Sequence, residues 1–157
     1  MSDMPKFKPK FVYVIYIAST PDKVFSALTD AKTSARYWFG YEVTSEWKVG
    51  AAFALVKDGR RWDTGKVLEY DPPRRLSYSF HPEHDGLENE KPSRVAFDLE
   101  EINGQVKLTM THDDFEEGSE VFPKIQTGWP SILSSLKSLL ETGKELPPFW
   151  RGDYDKK

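Results

Sequence analysis

The sequence predicts an α+β domain: a curved antiparallel sheet of six or seven strands wrapped around one long C-terminal helix, with two short helices after the first strand. Three observations carry this. Between residues 41 and 113 several short runs, among them Leu76-Tyr78-Phe80, Val95-Phe97-Leu99 and Val106-Leu108-Met110, place apolar side chains at every second position, the period of half-buried strands. Turn chemistry cuts that stretch into short pieces, and Asn103-Gly104 is its strongest hairpin signal. Beyond Gly118 the period changes to that of a helix, and Phe122, Ile125, Trp129, Ile132, Leu133, Leu136, Leu139 and Leu140 fall on one stripe. A twisted antiparallel meander has a concave face, and this stripe is the only long apolar surface able to cover it.

Phe11 to Ile17 is an unbroken run of β-formers and reads as a strand covered on both faces. Thr20 can cap a helix opened by Pro21, with Asp22 facing its dipole and Val24, Phe25 and Leu28 on one side. A second short helix, from about Ala31 to Tyr37, stops before Gly40. Tyr41, Val43 and Trp47 then alternate with acidic and hydroxyl residues as a strand. Lys48-Val49-Gly50 and Lys57-Asp58-Gly59 bracket another at 51–56. Residues 62–70 form the next, closed by Asp71-Pro72-Pro73, and Leu76, Tyr78 and Phe80 line one face of its successor. Residues 81–92 are polar and read as a long loop. Val95, Phe97 and Leu99 mark one arm of the final hairpin, and Val106, Leu108 and Met110 the other. Pro130 interrupts the helical stripe, because it lacks a backbone donor and crowds the carbonyl four residues back. It predicts a kink near Gly128-Trp129-Pro130 or a fresh helix start there. Gly143 ends the helix.

One domain accounts for the 157 residues. The absence of cysteine excludes thiol chemistry, iron–sulfur clusters and cysteine-ligated zinc, and favours a cytoplasmic location. Residues 1–10 hold no apolar run of signal-peptide length, and no later stretch is long enough for a membrane span. A net charge of −3 with the two signs interspersed argues against duplex nucleic acid as a partner. No cofactor motif is present. Aromatic residues make up 14% of an otherwise polar chain, enough to fill a large-residue core or to wall a pocket with rings.

Taken in order, these elements resemble the SRPBCC (START-like) superfamily, and within it the branch named after the activator of the heat-shock-protein ATPase, especially its single-domain bacterial members. The carriers are Thr20-Pro21-Asp22-Lys23-Val24-Phe25, Tyr37-Trp38-Phe39-Gly40, Asp71-Pro72-Pro73-Arg74-Arg75-Leu76 with Tyr78 and Phe80, and Pro92-Ser93-Arg94-Val95. Leu108-Thr109-Met110-Thr111-His112-Asp113 and Gly128-Trp129-Pro130-Ser131-Ile132-Leu133 complete the set. The resemblance covers roughly residues 10–143, taken as the domain, with 1–9 and 144–157 as flexible or docking tails. It implies a helix-grip fold with a cavity between sheet and last helix, and a connection to stress response. It does not imply one activity, since relatives include lipid and polyketide binders, aromatase/cyclases and co-chaperone domains.

His112 continues the inward phase of Val106, Leu108 and Met110. The plain expectation is a buried imidazole tied to a backbone group near the strand end. The functional one is a polar anchor in the pocket, or a base tuned by Asp113 or Asp114. His81, His84 and Asp85 match no metal-ligand spacing and read as solvated loop. Ser131, Ser134 and Ser135 lack a nucleophile elbow, and Arg74 and Arg75 read as exposed charges. The aromatic set Trp38, Trp62, Tyr78, Phe97 and Trp129 is core or pocket wall, and the resemblance favours wall for Trp129 and Tyr78.

The leading expectation is therefore a module holding a small apolar or aromatic molecule. Trp129, Leu133, Leu136 and Leu140 supply one wall, Tyr78, Phe97, Leu108 and Met110 the other, and His112 fixes orientation. An interaction module for a heat-shock ATPase, acting as monomer or homodimer, is the alternative. A cyclase- or hydrolase-like enzyme comes third, because only one member of an acid/base pair is evident in the sequence.

Overall fold

The structure, a computed structural model, describes residues 8–150. Its elements are β1 (Phe11–Ile17), α1 (Pro21–Thr29), α2 (Ala31–Tyr37), β2 (Glu42–Ser45), β3 (Ala52–Lys57), β4 (Arg60–Asp71), β5 (Arg75–Pro82), a 3₁₀ turn at Leu87–Asn89, β6 (Ser93–Ile102), β7 (Gln105–Asp113) and α3 (Val121–Thr142). The seven strands form one antiparallel sheet in the order β1-β7-β6-β5-β4-β3-β2. This is the expected architecture. Among the described residues no helix is long and apolar enough to cross a membrane.

Register explains the inner face. Val95, Phe97 and Leu99 of β6 stand opposite His112, Met110 and Leu108 of β7, and Leu76 and Tyr78 of β5 stand opposite Phe97 and Val95. Phe53 stacks on Tyr78 with centroids 3.9 Å apart, and Phe97 meets Trp129 edge-on at 5.8 Å. Trp129, Leu133, Leu136 and Leu139 of α3 enter this cluster, so the helical stripe covers the sheet as its period predicts. Gly65 on β4 permits the close approach of the β5 backbone, since a Cβ there would collide with the Ser79 carbonyl oxygen.

The two short helices are capped as their sequence specifies. Thr20 Oγ1 accepts from the Lys23 amide, and Asp30 accepts from both the amide and the hydroxyl of Thr33. Those hydrogen bonds hold the Asp30 carboxyl below its usual range. The buried Tyr37 hydroxyl donates to the Ala27 carbonyl at 2.9 Å and locks α2 onto α1; burial pushes its pKa up.

Four expectations are corrected, and one of the two alternatives at Pro130 is excluded. β1 is an edge strand with one open face, where Val12, Val14 and Tyr16 are 44–48% exposed. β5 continues through His81 and Pro82, which pair with Thr64 and Asp63, and Leu87 is buried, so 81–92 is only partly loop. Trp47 lies beyond β2 with φ +52°. Arg75 is half-buried and bridges Glu69 at 2.6 Å and Asp98 at 2.7 Å, whose hydrogen bonds raise its pKa. Finally, α3 does not restart at Pro130 but runs unbroken to Thr142, ending on Gly143 at φ +82°.

α3 is held at both ends by groups distant in sequence. Glu90 accepts from the Ser119 hydroxyl (2.6 Å) and the amides of Glu120 (2.6 Å) and Val121 (3.2 Å). Ser119 Oγ accepts from the Val121 and Phe122 amides (3.1 Å each), so the two side chains together cap a helix whose Glu120 supplies no cap bond. Near the other end Glu141 accepts from the Ala18 amide at 2.7 Å, and Lys137 donates to the Tyr16 carbonyl at 2.6 Å. Beyond the helix, Ser135 Oγ accepts from the Leu146 amide and donates to its carbonyl, while Arg36 reaches Gly143 and Glu145. Residues 1–7 and 151–157 of the expected tails lie outside the described residues.

Candidate functional site

His112 is fully buried near the end of β7, and both ring nitrogens are engaged. Trp129 Nε1 can only donate, and it lies 3.0 Å from His112 Nδ1. Nδ1 is therefore the acceptor, and the proton sits on Nε2, which donates to Ser93 Oγ at 2.7 Å. Ser93 passes its own hydroxyl to the Phe80 carbonyl at 3.3 Å. The partners are side chains, not the backbone group expected. Burial drives the His112 pKa down to about 3, against a smaller pull from Asp113, so the ring is neutral. Asp113 points away and pairs with Arg94 at 2.9 and 3.0 Å. Asp114 pairs with Lys91 at 3.0 Å.

Against Trp129 lies a hollow of about 170 Å³. Its walls are apolar: Trp38 from the end of α2, Leu55 from β3, Phe80 and Pro82 from β5, and Val121, Ile125, Trp129 and Ile132 from α3. Gly128 opens its roof, since a Cβ there would meet nothing within 4 Å. Trp38, Gly128 and Ile132 also border a wider groove of about 690 Å³, lined further by Phe39, Tyr41, Trp62, Phe149 and Trp150. Lys57 lies over the Tyr41 ring and Arg60 over Trp62.

One carboxyl faces this apolar space. Asp63 on β4 stands opposite Leu55 and Pro82 and is 8% exposed. Burial pushes its pKa up to about 7; His84 opposes the rise, Glu83 adds to it and His81 opposes it. His84 Nε2 stands 3.9 Å away, with Nδ1 on Asp85 at 2.7 Å. His81 contacts the Glu83 carboxylate at 2.6 Å and the Glu88 carbonyl at 2.9 Å; burial opposes its charge, but those bonds win and raise its pKa. Among the described residues no group of three or more His, Cys, Asp or Glu is arranged to hold a metal.

Of the nine residues expected to contact a ligand, Trp129 lines the hollow. Tyr78, Phe97, Leu108, Met110, Leu133, Leu136 and His112 are packed in the core at no more than 1% exposure, and Leu140 is half-buried at its edge. Trp38, from the aromatic set read as core or pocket wall, also lines the hollow, and Asp63 is an addition. Asp63 shares the period-two phase of Val67, so its inward position was available from the strand pattern. With His84 it supplies two titratable groups on one hollow, a pair the sequence reading did not find.

The sheet wrapped on one helix, with a hollow beneath that helix, defines the helix-grip class. Within it, this chain belongs to the family described as "Activator of Hsp90 ATPase homolog 1-like protein", whose profile matches residues 18–141. Among solved structures it is similar to the Aha1 dimer from Colwellia psychrerythraea (24% identity, TM-score 0.72, 87% of this chain and 98% of that one). It is also similar to an HSP90 activator from Plasmodium falciparum (22%, 0.71, 83% and 95%). A third is CalU16 from Micromonospora echinospora (27%, 0.69, 88% and 68%). No curated protein matches significantly.

Proposed function

We propose that the chain binds a compact, largely apolar ligand in the hollow beneath the first half of α3, with the aromatic groove as its approach. The observation that carries this reading is a concave, ring-lined space of about 170 Å³ roofed by a bare glycine in a helix. A dry apolar cavity of roughly that size takes a single benzene ring. Trp129 and Trp38 form the wall, and the packed residues Tyr78, Phe97, Leu108, Met110, Leu133 and Leu136 back it. His112 acts through Trp129, fixing the ring that a ligand touches.

Gly128→Leu tests this. It fills the hollow, and replacing glycine inside a helix raises helix propensity by roughly 0.5–1 kcal/mol. The expected outcome is loss of binding of a fluorescent apolar probe with denaturant stability unchanged or higher. Undiminished probe binding overturns the reading.

Family membership supports a second reading, action on an Hsp90-type ATPase. A several-fold rise in the turnover of such an ATPase that survives Gly128→Leu, but is lost when the exposed face of β1 is made charged, favours it over the first.

A further inference from the structure

We propose that the hollow is a site for an amine: a small ring-bearing molecule whose ammonium group sits against the Asp63 carboxylate. This deepens the ligand-binding reading and rests on it. A carboxyl this buried is ordinarily paired or hydrogen-bonded. Among the described residues none hydrogen-bonds the Asp63 side chain, and the nearest ionisable nitrogen, His84 Nε2, stops at 3.9 Å. The imidazole is held there by Asp85 at 2.7 Å and by edge contact with Trp62 at 5.3 Å. No side-chain polar atom sealed inside the described protein lacks a partner, so the unbonded Asp63 oxygens are open to space, and Asp63 lines the hollow.

The surroundings select the class of ligand. Trp38, Phe80 and Trp129 present rings, whose electron-rich faces attract cations. An incoming ammonium supplies a closer charge partner than His84 at 3.9 Å, with a charge-assisted hydrogen bond that the protein does not make. A neutral alcohol supplies one ordinary hydrogen bond, and an anion meets a like charge. The titratable groups facing Asp63 are His84, then Glu83 and His81 of the same segment, and the buried Tyr78 hydroxyl of β5. Glu83 is held by Thr64 and His81, both at 2.6 Å, and Lys124 of α3 stands at the rim. The volume limits the ligand to about one ring with a short amine arm.

The experiment titrates the full chain with benzylamine, benzyl alcohol and benzoate, following NMR shifts of hollow residues at about pH 8 and about pH 5.5, either side of the Asp63 titration. Benzylamine is expected to bind at least about tenfold more tightly than benzyl alcohol at the higher pH. The preference is expected to shrink at the lower pH as the carboxyl takes up a proton. Asp63→Asn removes the preference and leaves alcohol binding in place. Equal binding of amine and alcohol by the wild-type protein, or tighter binding of benzoate, overturns the amine site while leaving the ligand reading standing. Shifts with none of the three compounds overturn both.

Discussion

At the scale of single residues, the bond between Trp129 and His112 converts a buried histidine from a titratable group into a fixed acceptor. Trp129→Phe keeps a ring but removes the donor, leaving Nδ1 buried and unpaired. The expected cost is about 1–3 kcal/mol in urea unfolding, less than the roughly 3–5 kcal/mol of Trp129→Ala. The pH dependence follows from the same ring. Its folded pKa of about 3 lies below the ordinary 6.5, so the unfolded chain binds the extra proton. This stabilisation is complete above pH 6.5 and is lost as pH falls toward 3, by at most about 1.4 kcal/mol per pH unit. Asp63 runs the other way: its pKa is raised, so its contribution is present below its ordinary 3.8 and lost as pH rises through about 7. Comparing wild type with His112→Gln isolates the first slope, which the variant should lack. The inward aim of His112 was legible because strand phase fixes it. Its partners were not, because Ser93 and Trp129 lie 19 and 17 residues away on other elements.

Among the elements, α3 is where local signals and tertiary contacts divide most clearly. Its apolar stripe and its Gly143 stop follow from sequence. Its start follows only in part, since Glu120 at the cap makes no side-chain hydrogen bond and the work is shared between neighbouring Ser119 and distant Glu90. Glu90→Ala should cost about 1 kcal/mol in denaturant unfolding, the size of an ordinary N-cap loss. The same division explains β1 and the 81–92 segment. Runs of β-formers do not say whether a strand is central or at an edge, and polar residues such as His81 can pair across a sheet as well as apolar ones. The helix passes through Pro130 because Trp129 and Leu133 are fixed on either side of it by the core.

For the whole molecule, sequence and family profile agree on the architecture, because turn chemistry and periodicity act locally and the family motifs follow the same order. The hollow was less legible. Its place depends on which large side chains meet, and periodicity sends Tyr78 and Asp63 to the same face without saying which one packs and which one borders space. The arrangement of α3 has a mechanical consequence. The helix is a beam resting on two piers, Glu90 at one end and the Leu133–Leu136–Leu139 contacts with Lys137 and Glu141 at the other, and the hollow lies under its span. Within the span Pro130 offers no amide to the Gln126 carbonyl, and Gly128 contributes no packing. Amide hydrogen exchange should therefore be fastest around residues 126–128 and slow toward either pier, rather than fray from the ends as in a free helix. A molecule lodged beneath the span would prop it from below, and the same few amides would report its arrival.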